Sequence, residues 1–215
     1  MKGPILAETA GPILEARQLH LWRGTRHVLR GLSFEARPGD LLHIRGANGC
    51  GKTSLLRTLA GFLWPEDGSL YWNGRPVEAD RDAYASDLAY LGHENALKAD
   101  LSPVENLRYS VGLRHPAGIR DIDATLDRLG VAAQAALPAR ALSAGQRRRV
   151  AMARVVLARA RLWLLDEPFT NLDVAGVAAL SAMIAAHAAA GGIAILTAHA
   201  ELDVAGYPVR RLELS

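Results

Sequence analysis

The stretch GANGCGKTS, Gly46 to Ser54, constrains the fold of this 215-residue chain more than any other part of its sequence. It satisfies the pattern G-x-x-x-x-G-K-[ST], in which glycines let backbone N–H groups converge on an anion and a helix presents its N-terminus to it. Such a loop needs a buried strand before it and a helix after it. The sequence supplies both, as LLHIRG and KTSLLRTLAGFL. We therefore predict a nucleotide-binding loop and not a simple glycine turn.

The residues of this loop have separate expected roles. Lys52 is expected to reach the β- and γ-phosphates, and the Thr53 hydroxyl to bind Mg²⁺. Cys50, the single cysteine, excludes an internal disulfide. We interpret it as a small loop filler, with a redox-sensing thiol as the alternative. The predicted nucleotide-binding residues of the loop are Gly46, Ala47, Asn48, Gly49, Cys50, Gly51, Lys52, Thr53 and Ser54.

An acidic pair, Asp166-Glu167, follows the apolar run RLWLL. Ligands of doubly wound sheets lie at the carboxyl ends of the strands. We therefore expect Asp166 to hold Mg²⁺ through its water shell, and Glu167 to orient and polarise an attacking water. The alternative, a strand that ends in a solvated acidic turn, is disfavoured by the phosphate loop elsewhere in the chain.

The first half of the chain changes from strand patterns to helix patterns. Short runs between about residues 12 and 45 alternate as strands do, and Asn73-Gly74 between strand-like flanks indicates a hairpin. From about residue 94 to 141 the pattern is helical. Ser102 is an expected N-cap there, with Pro103 at the first helical position and Glu105 at the capping-box position, and a later helix closes at Gly130.

After Leu142, helices alternate with apolar strands. Helices are predicted at about 146–159 and 174–190, and strands at RLWLL and IAILT. Apolar strands that alternate with helices imply a buried parallel sheet, so we predict an α/β fold.

The segment from Val174 to Leu196 is about long enough to span a bilayer. Its apolar character comes mostly from alanine, Ser181 and His187 interrupt it, and Gly191-Gly192 divides it into a helix-length and a strand-length piece. We therefore predict no membrane span. The N-terminus does not have the apolar run of a signal peptide, so membrane association is expected to depend on another protein.

The net charge of +3 is mild and does not require a nucleic-acid partner. Three consecutive arginines, Arg147 to Arg149, could contact nucleic acid, but no aromatic or basic patch accompanies them. We expect them to form a solvated or interface-facing edge of a helix, and we expect no nucleic-acid partner.

The stretch LSAGQRRRV, Leu142 to Val150, admits two interpretations. Ser143-x-x-Gln146 is a capping box at the start of a helix. It also lies about twenty residues before the acidic pair, where ATP-binding-cassette proteins carry their LSGGQ signature. GANGCGKT, LSAGQ, LLDE, TNLD (170–173) and a lone His199 follow one another in the order of that family. Over nearly its whole length, the chain therefore resembles the ATP-binding-cassette (ABC) transporter family.

The resemblance implies a P-loop NTPase fold of the ABC type, with an antiparallel β-subdomain and an inserted helical lobe. One domain would span residues 1–215, with an ATP-binding core at 1–93 and 142–215 and the helical lobe at 94–141. A head-to-tail homodimer would hold two ATP molecules, each between one chain's phosphate loop and its partner's signature. The signature residues of the nucleotide site would be Ser143, Gly145 and Gln146, with the N–H groups of Ala144 and Gly145 facing the γ-phosphate.

Other site residues follow from the same resemblance. His199 would sense the γ-phosphate and act in catalysis beside Lys52 and Glu167. Trp22, read without the resemblance as a core aromatic, would stack on adenine. The family has a glutamine between the core and the helical lobe that is missing here, and His93 or Glu94 occupies its register. A milder departure is Ala144, where the signature usually has glycine.

Within the family, YLGHENALKADLSPVENLRY, ALSAGQRRRVAMARV and LWLLDEPFTNLD resemble the ATP-binding subunits of bacterial cytochrome c biogenesis (haem exporter) complexes. That likeness implies an ATPase that uses ATP and Mg²⁺ at the cytoplasmic face of the inner membrane, with integral membrane partner subunits. Haem would be held only by those partners, because the sequence has no Cys-x-x-Cys-His motif. The helical lobe would be the coupling surface.

Three other functions stay open at this point. The chain could drive another exporter, for drugs or lipids, or act as a soluble cassette ATPase on ribosomes or DNA. The soluble proteins usually carry two cassettes or a long coiled-coil insertion, and this chain has neither. A P-loop kinase is disfavoured by the signature and by TNLD. We expect no fused sensor or membrane domain.

Overall fold

The computed structural model describes residues 13–112, 119–198 and 203–214. It contains two sheets, one antiparallel and one parallel, with helices packed around the parallel one. The strands are β1 (Leu14–Arg23), β2 (Arg26–Ala36), β3 (Leu41–Arg45), β4 (Asp67–Trp72), β5 (Arg75–Pro76), β6 (Leu88–Leu91), β7 (Leu162–Leu165), β8 (Ile193–Thr197) and β9 (Arg210–Glu213). The α-helices are α1 (Lys52–Leu59), α2 (Arg81–Ser86), α3 (Pro103–Gly112), α4 (Ile119–Arg128), α5 (Ala144–Leu157) and α6 (Val174–Ala189).

The parallel sheet forms the centre of the molecule and has the strand order β6-β7-β8-β3-β9. Every residue of β7 and β8 is buried, which explains why both strands read as continuous apolar runs in the sequence. Strand β3 leads from this sheet into the phosphate loop, and α1 follows the loop. The predicted α/β fold with a buried parallel sheet is therefore confirmed. The strands at the two ends of this order, β6 and β9, were not predicted from the sequence.

The antiparallel sheet has the order β2-β1-β4-β5 and covers one side of the core. Every second residue of β1 is buried at Leu14 and Ala16 and again at Leu19 and Leu21, as a sheet with one face on the core requires, and an irregularity in the strand separates the two pairs. Its inward leucines pack in one cluster with Leu55, Leu56 and Leu59 of α1. The predicted hairpin is also present, because Asn73 and Gly74, both at positive φ, join β4 to β5.

The helical segment after β6 has the capping that the sequence predicts. The Ser102 hydroxyl accepts a hydrogen bond from the Glu105 amide, and the Glu105 carboxylate accepts one from the Ser102 amide. Buried Asn106 then ties α3 to the preceding turn through hydrogen bonds with backbone groups of Lys98 and Leu101. Leucine, isoleucine and valine side chains of α3 and α4 share a separate buried cluster with α5.

Within the described ranges, no helix has both the length and the apolar character needed to cross a bilayer. The segment from Val174 to Leu196 divides as predicted. Helix α6 ends at Ala189, and β8 begins at Ile193 after a turn at Gly191 with φ 86°.

Candidate nucleotide-binding site

The phosphate loop joins β3 to α1 and takes its shape from three glycines. Gly46, Gly49 and Gly51 have φ values of 146°, 77° and 119°, and residues other than glycine rarely adopt such positive φ values. A Cβ atom on Gly51 would also lie 2.3 Å from the Val28 side chain, so the loop and β2 approach too closely for any larger residue. The glycine loop between β3 and the N-terminus of α1 thus has the strand–loop–helix arrangement of an anion site.

Lys52, the first residue of α1, folds across the loop. Its Nζ atom donates hydrogen bonds to the carbonyl oxygens of Gly46 (2.8 Å) and Ala47 (3.1 Å). The ammonium group is thus held at the mouth of the concavity. A cavity of about 410 Å³ opens there, and its lining joins the loop to the β1–β2 hairpin and to Glu167. We call it the nucleotide cavity; it is lined by Arg23, Arg26, Val28, Asn48, Gly49, Gly51, Lys52, Thr53, Ser54 and Glu167.

Asp166 directly follows β7 and is 1% exposed. Its Oδ1 atom accepts a hydrogen bond from Thr197 Oγ1 at 2.8 Å, whereas its buried Oδ2 atom has no hydrogen-bond partner. A buried carboxylate oxygen in this condition suits a cation or its water shell. The described residues contain no cluster of three His, Cys, Asp or Glu side chains that could hold a metal ion. One carboxylate and the Thr53 hydroxyl, completed by phosphates and water, are a donor set that Mg²⁺ accepts.

Glu167 adopts a left-handed backbone conformation with φ 49°, which is costly for a residue with a side chain. Its amide donates a hydrogen bond to Thr197 Oγ1 at 2.9 Å. Its carboxylate lies 3.4 Å from the Thr170 hydroxyl, and its Oε2 atom is 3.8 Å from His93 Nδ1. The carboxylate also lines the nucleotide cavity, so the structure brings Glu167 and the phosphate loop together.

Thr197 links the two acidic residues, and we predict that Thr197→Val lowers the free energy of unfolding by about 1–3 kcal/mol. The substitution keeps the shape of the side chain but leaves the Asp166 carboxylate and the Glu167 amide without this partner. Urea unfolding measures the change. Thr58→Val is the matched control, because Thr58 is equally buried but donates only to the Ser54 carbonyl, which already accepts a helical hydrogen bond. A loss for Thr197→Val no larger than the control's would contradict the linking role.

The signature stretch forms the start of α5, with both halves of the predicted capping box. The Ser143 hydroxyl accepts a hydrogen bond from the Gln146 amide, and the Ser143 amide donates to Gln146 Oε1 at 2.8 Å. A Cβ atom on Gly145 would lie 2.5 Å from the carbonyl oxygen of Asn171, so glycine is required there. Around this helix N-terminus is a second cavity of about 540 Å³, which we call the signature cavity; it is lined by Gly130, Gln134, Ser143, Ala144, Gly145, Gln146, Arg149, Asn171 and Asp173.

Of the three arginines after the signature, Arg148 does not lie on the solvated or interface-facing edge that the sequence predicts. Arg148 is 3% exposed, because it lies on the face of α5 that packs under the acidic pair. Arg149 is largely buried and forms an ion pair with Asp173. Asp173 in turn caps α6 by accepting the Gly176 amide at 2.7 Å, and this hydrogen bond, with the Arg149 charge, lowers the pKa of the Asp173 carboxyl. The expectation is therefore wrong for Arg148.

Four predicted site residues remain, namely Trp22, His93, Glu94 and His199. Trp22 lies at the end of β1 and is 39% exposed, and its ring stacks on that of His27 with 3.7 Å between centroids. Of the two residues in the register of the missing glutamine, His93 approaches Glu167, whereas Glu94 is exposed beside it. His199 lies outside the described residues, so its role stays a prediction.

Several residues near the site carry no signal in the sequence that predicts their place. Arg23 and Arg26 bring two positive charges from the β1–β2 hairpin to the nucleotide cavity. Thr197 and Arg148 hold the acidic pair from β8 and α5. Only the position of Thr197 at the end of an apolar strand could have indicated its place, because parallel strands end at one edge of a sheet.

Comparison with protein families matches residues 29–170 to a family described as ABC transporter. The chain is 49% identical over 209 residues to the "Cytochrome c biogenesis ATP-binding export protein CcmA" of Aromatoleum aromaticum, with 95% of this chain and 96% of that protein covered. Proteins of the same name from Methylococcus capsulatus and Nitrosococcus oceani are 47% and 44% identical, over 93% and 100% of this chain and 97% of each relative.

Solved structures agree with the fold. An ATP-binding protein of Pyrococcus furiosus matches with a TM-score of 0.82 at 25% identity, over 94% of this chain and 97% of that one. The ATP-binding subunit of an ABC transporter matches with a TM-score of 0.84 over 94% of this chain and 85% of that one, and at 22% identity this likeness concerns the fold alone.

Proposed function

The chain belongs to the ABC transporter family, and we propose on that basis that it is the ATP-hydrolysing motor subunit of an export complex that serves cytochrome c biogenesis. The observation that carries this proposal is the near full-length likeness to three export proteins of that name, at 44–49% identity. The geometry supports it, because the phosphate loop and Glu167 line one cavity. The group delivered by the complex is haem, and its membrane partners hold it.

The residues in and around the nucleotide cavity have separate parts in hydrolysis. The loop amides and Lys52 bind the β- and γ-phosphates, and Trp22 stacks on adenine. Thr53 and Asp166 would hold Mg²⁺, which neutralises phosphate charge when bound. Glu167 orients the attacking water and accepts its proton. His93, near the Glu167 carboxylate, hydrogen-bonds in the place of the missing glutamine, and His199 senses the γ-phosphate.

Two copies of the chain act together. The nucleotide cavity and the signature cavity are each formed by one chain, and ATP fills the space between the first of one copy and the second of the other. Ser143 and the N–H groups of Ala144 and Gly145 start a helix of 14 residues, which favours a negative charge at this end. Because the same two surfaces meet twice, the dimer is two-fold symmetric. ATP supplies much of its attraction, and hydrolysis removes it.

The membrane subunits dock beside the proposed helical lobe (94–141), at the cytoplasmic face of the inner membrane. A groove of about 490 Å³ lies between that lobe and the core, and its lining includes Phe62, Tyr90 and Val111. Phe62 is 57% exposed, with its ring edge-on to that of Tyr90 at 5.2 Å between centroids. An exposed aromatic in an apolar groove is a typical anchor for a partner protein.

Affinity purification of the chain from solubilised membranes tests this function. We expect integral membrane subunits and haem, identified by mass spectrometry and by the haem absorption spectrum. Phe62→Asp in the groove and Arg108→Glu on the exposed face of α3 are expected to lower the recovery of those subunits about tenfold. Arg75→Glu, an exposed charge reversal on β5, is the control and leaves recovery unchanged.

Each other outcome of the purification has a definite meaning. Membrane subunits without haem would indicate an exporter of another cargo, such as a drug or a lipid. Ribosomes, or no partner at all, would contradict a transport function. Full recovery with both charge-changing variants would show that the membrane subunits dock elsewhere.

A further inference from the structure

Arg148 is a buried guanidinium group that contacts two separate segments of backbone. Its Nη1 atom donates to the carbonyl oxygen of Gly92 at 2.7 Å and lies 3.2 Å from Asn95 Oδ1. Its Nη2 atom donates to the carbonyl oxygens of Asp166 and Glu167, the latter at 2.8 Å. The fork of one side chain thus joins the linker 92–95 to the turn 166–168.

Each acceptor of these hydrogen bonds is a neutral carbonyl or amide oxygen. Burial lowers the pKa of Arg148, and the charges of Asp166 and Glu167 oppose that effect. An arginine nonetheless stays charged in a protein, so its burial costs free energy, which these hydrogen bonds and the attraction of the two carboxylates offset. An apolar side chain of similar size would fill this space without that cost. Packing alone therefore does not explain a guanidinium at this position, whereas its hydrogen bonds to the linker and to the turn do.

The turn 166–168 contains Glu167 in its strained conformation. The amide of Glu167 is held by Thr197 and its carbonyl oxygen by Arg148, so both of its peptide groups are fixed. A left-handed backbone at such a residue persists only where the surroundings impose it. Loss of the Arg148 hydrogen bonds would let the turn relax and would move the carboxylate away from the nucleotide cavity.

The linker 92–95 is the other segment that Arg148 holds. It leads from β6 toward α3, and it carries His93, whose ring approaches the Glu167 carboxylate. A shift of the helical lobe against the core would pull on this linker. Because the same guanidinium holds the linker and the turn, the shift would reach the peptide group of Glu167.

We propose that Arg148 is a positioning residue that fixes the Glu167 carboxylate and couples it to the linker of the helical lobe. This inference rests on the proposed ATPase function and adds to it the residue through which the lobe acts on catalysis. In a chain that lacks the family's glutamine, Arg148 would give the two regions another connection.

The test is steady-state ATP hydrolysis by the complex of the full chain with its membrane subunits. For Arg148→Met we expect kcat to fall about 100-fold, because a small displacement of a catalytic group has an effect of that size, while KM changes less than about threefold. Arg148→Lys should show an intermediate fall, since an ammonium keeps the charge but cannot span both segments. Arg159→Met is the control, because exposed Arg159, just after the end of α5, donates its hydrogen bond to the Asp121 carboxylate of α4, and the kcat of this variant should stay within about threefold of the wild type.

A second measurement separates positioning from a merely structural role. If Arg148 acts through Glu167, adding Arg148→Met to Glu167→Gln should lower single-turnover hydrolysis no further, whereas independent effects would multiply. Wild-type kcat in Arg148→Met, or a full further loss in the double variant, would overturn the proposal. Should Arg148→Met fail to fold, the same criteria apply to Arg148→Lys. A wild-type complex without ATPase activity would instead contradict the proposed function itself.

Discussion

Replacing Lys52 with alanine is expected to abolish measurable ATP binding and, with it, turnover. The Lys52 ammonium is held at the mouth of the phosphate loop by the carbonyl oxygens of Gly46 and Ala47. From there it would reach two phosphate groups, and each charge-assisted hydrogen bond contributes roughly 1.5–3 kcal/mol. Loss of both weakens binding by at least ~100-fold. Isothermal titration of the purified chain with Mg-ATP measures this change directly.

Thermal unfolding gives a second measure of the same effect. A ligand at 100 times its dissociation constant stabilises the folded chain by about 2.7 kcal/mol, so Mg-ATP should raise the unfolding midpoint of the wild type but not of Lys52→Ala. Lys98→Ala serves as the control, because Lys98 is exposed and rests on the Tyr109 ring away from the loop. Binding by Lys52→Ala within threefold of the wild type would remove Lys52 from the site.

Much of the fold could be predicted because its central elements carry their own signals. Strands β7 and β8 are continuous apolar runs, and α3 and α5 each begin with a capping box. Strands β6 and β9 were missed for physical reasons. Strand β6 has four residues next to polar sequence, and β9, with the sequence RRLE, is an exposed strand beside β3 at the end of the described sheet. Both are strands because they pair with a neighbouring strand, and the local sequence does not predict this pairing.

In the candidate site, too, residues within short motifs were predicted and contacts between distant segments were not. Residues 46–54 and the acidic pair were predicted because each lies within one short motif whose spacing encodes its geometry. The contacts of Arg148 join positions 18 to 56 residues apart, so no local pattern contains them. A run of three arginines is typical of a solvated helix edge, and the sequence does not show which side of the helix faces the sheet. Once α5 packs against the sheet, the middle arginine lies on its inner face.

Glu167→Gln is expected to keep ATP binding and to slow hydrolysis by about 10²–10⁴-fold, the contribution typical of a general base. An amide has nearly the shape of the carboxylate, so the packing against Thr170 and His93 is retained. It cannot accept a proton from water or polarise it, however, so the chemical step is lost. Single-turnover hydrolysis measures the rate, and titration with Mg-ATP measures the binding. Hydrolysis at the wild-type rate would remove Glu167 from its proposed role.

The same variant tests whether ATP joins two chains. If two copies hold ATP between the nucleotide cavity of one and the signature cavity of the other, a chain that cannot hydrolyse ATP should accumulate as a dimer. Light scattering after size exclusion in saturating Mg-ATP should then show a dimer for Glu167→Gln and a mixture for the wild type. Glu35→Gln, which removes an exposed carboxylate on β2, should behave as the wild type does. A Glu167→Gln chain that stays monomeric, even with its membrane subunits supplied, would contradict the shared site, because Ser143 would then have no nucleotide to face.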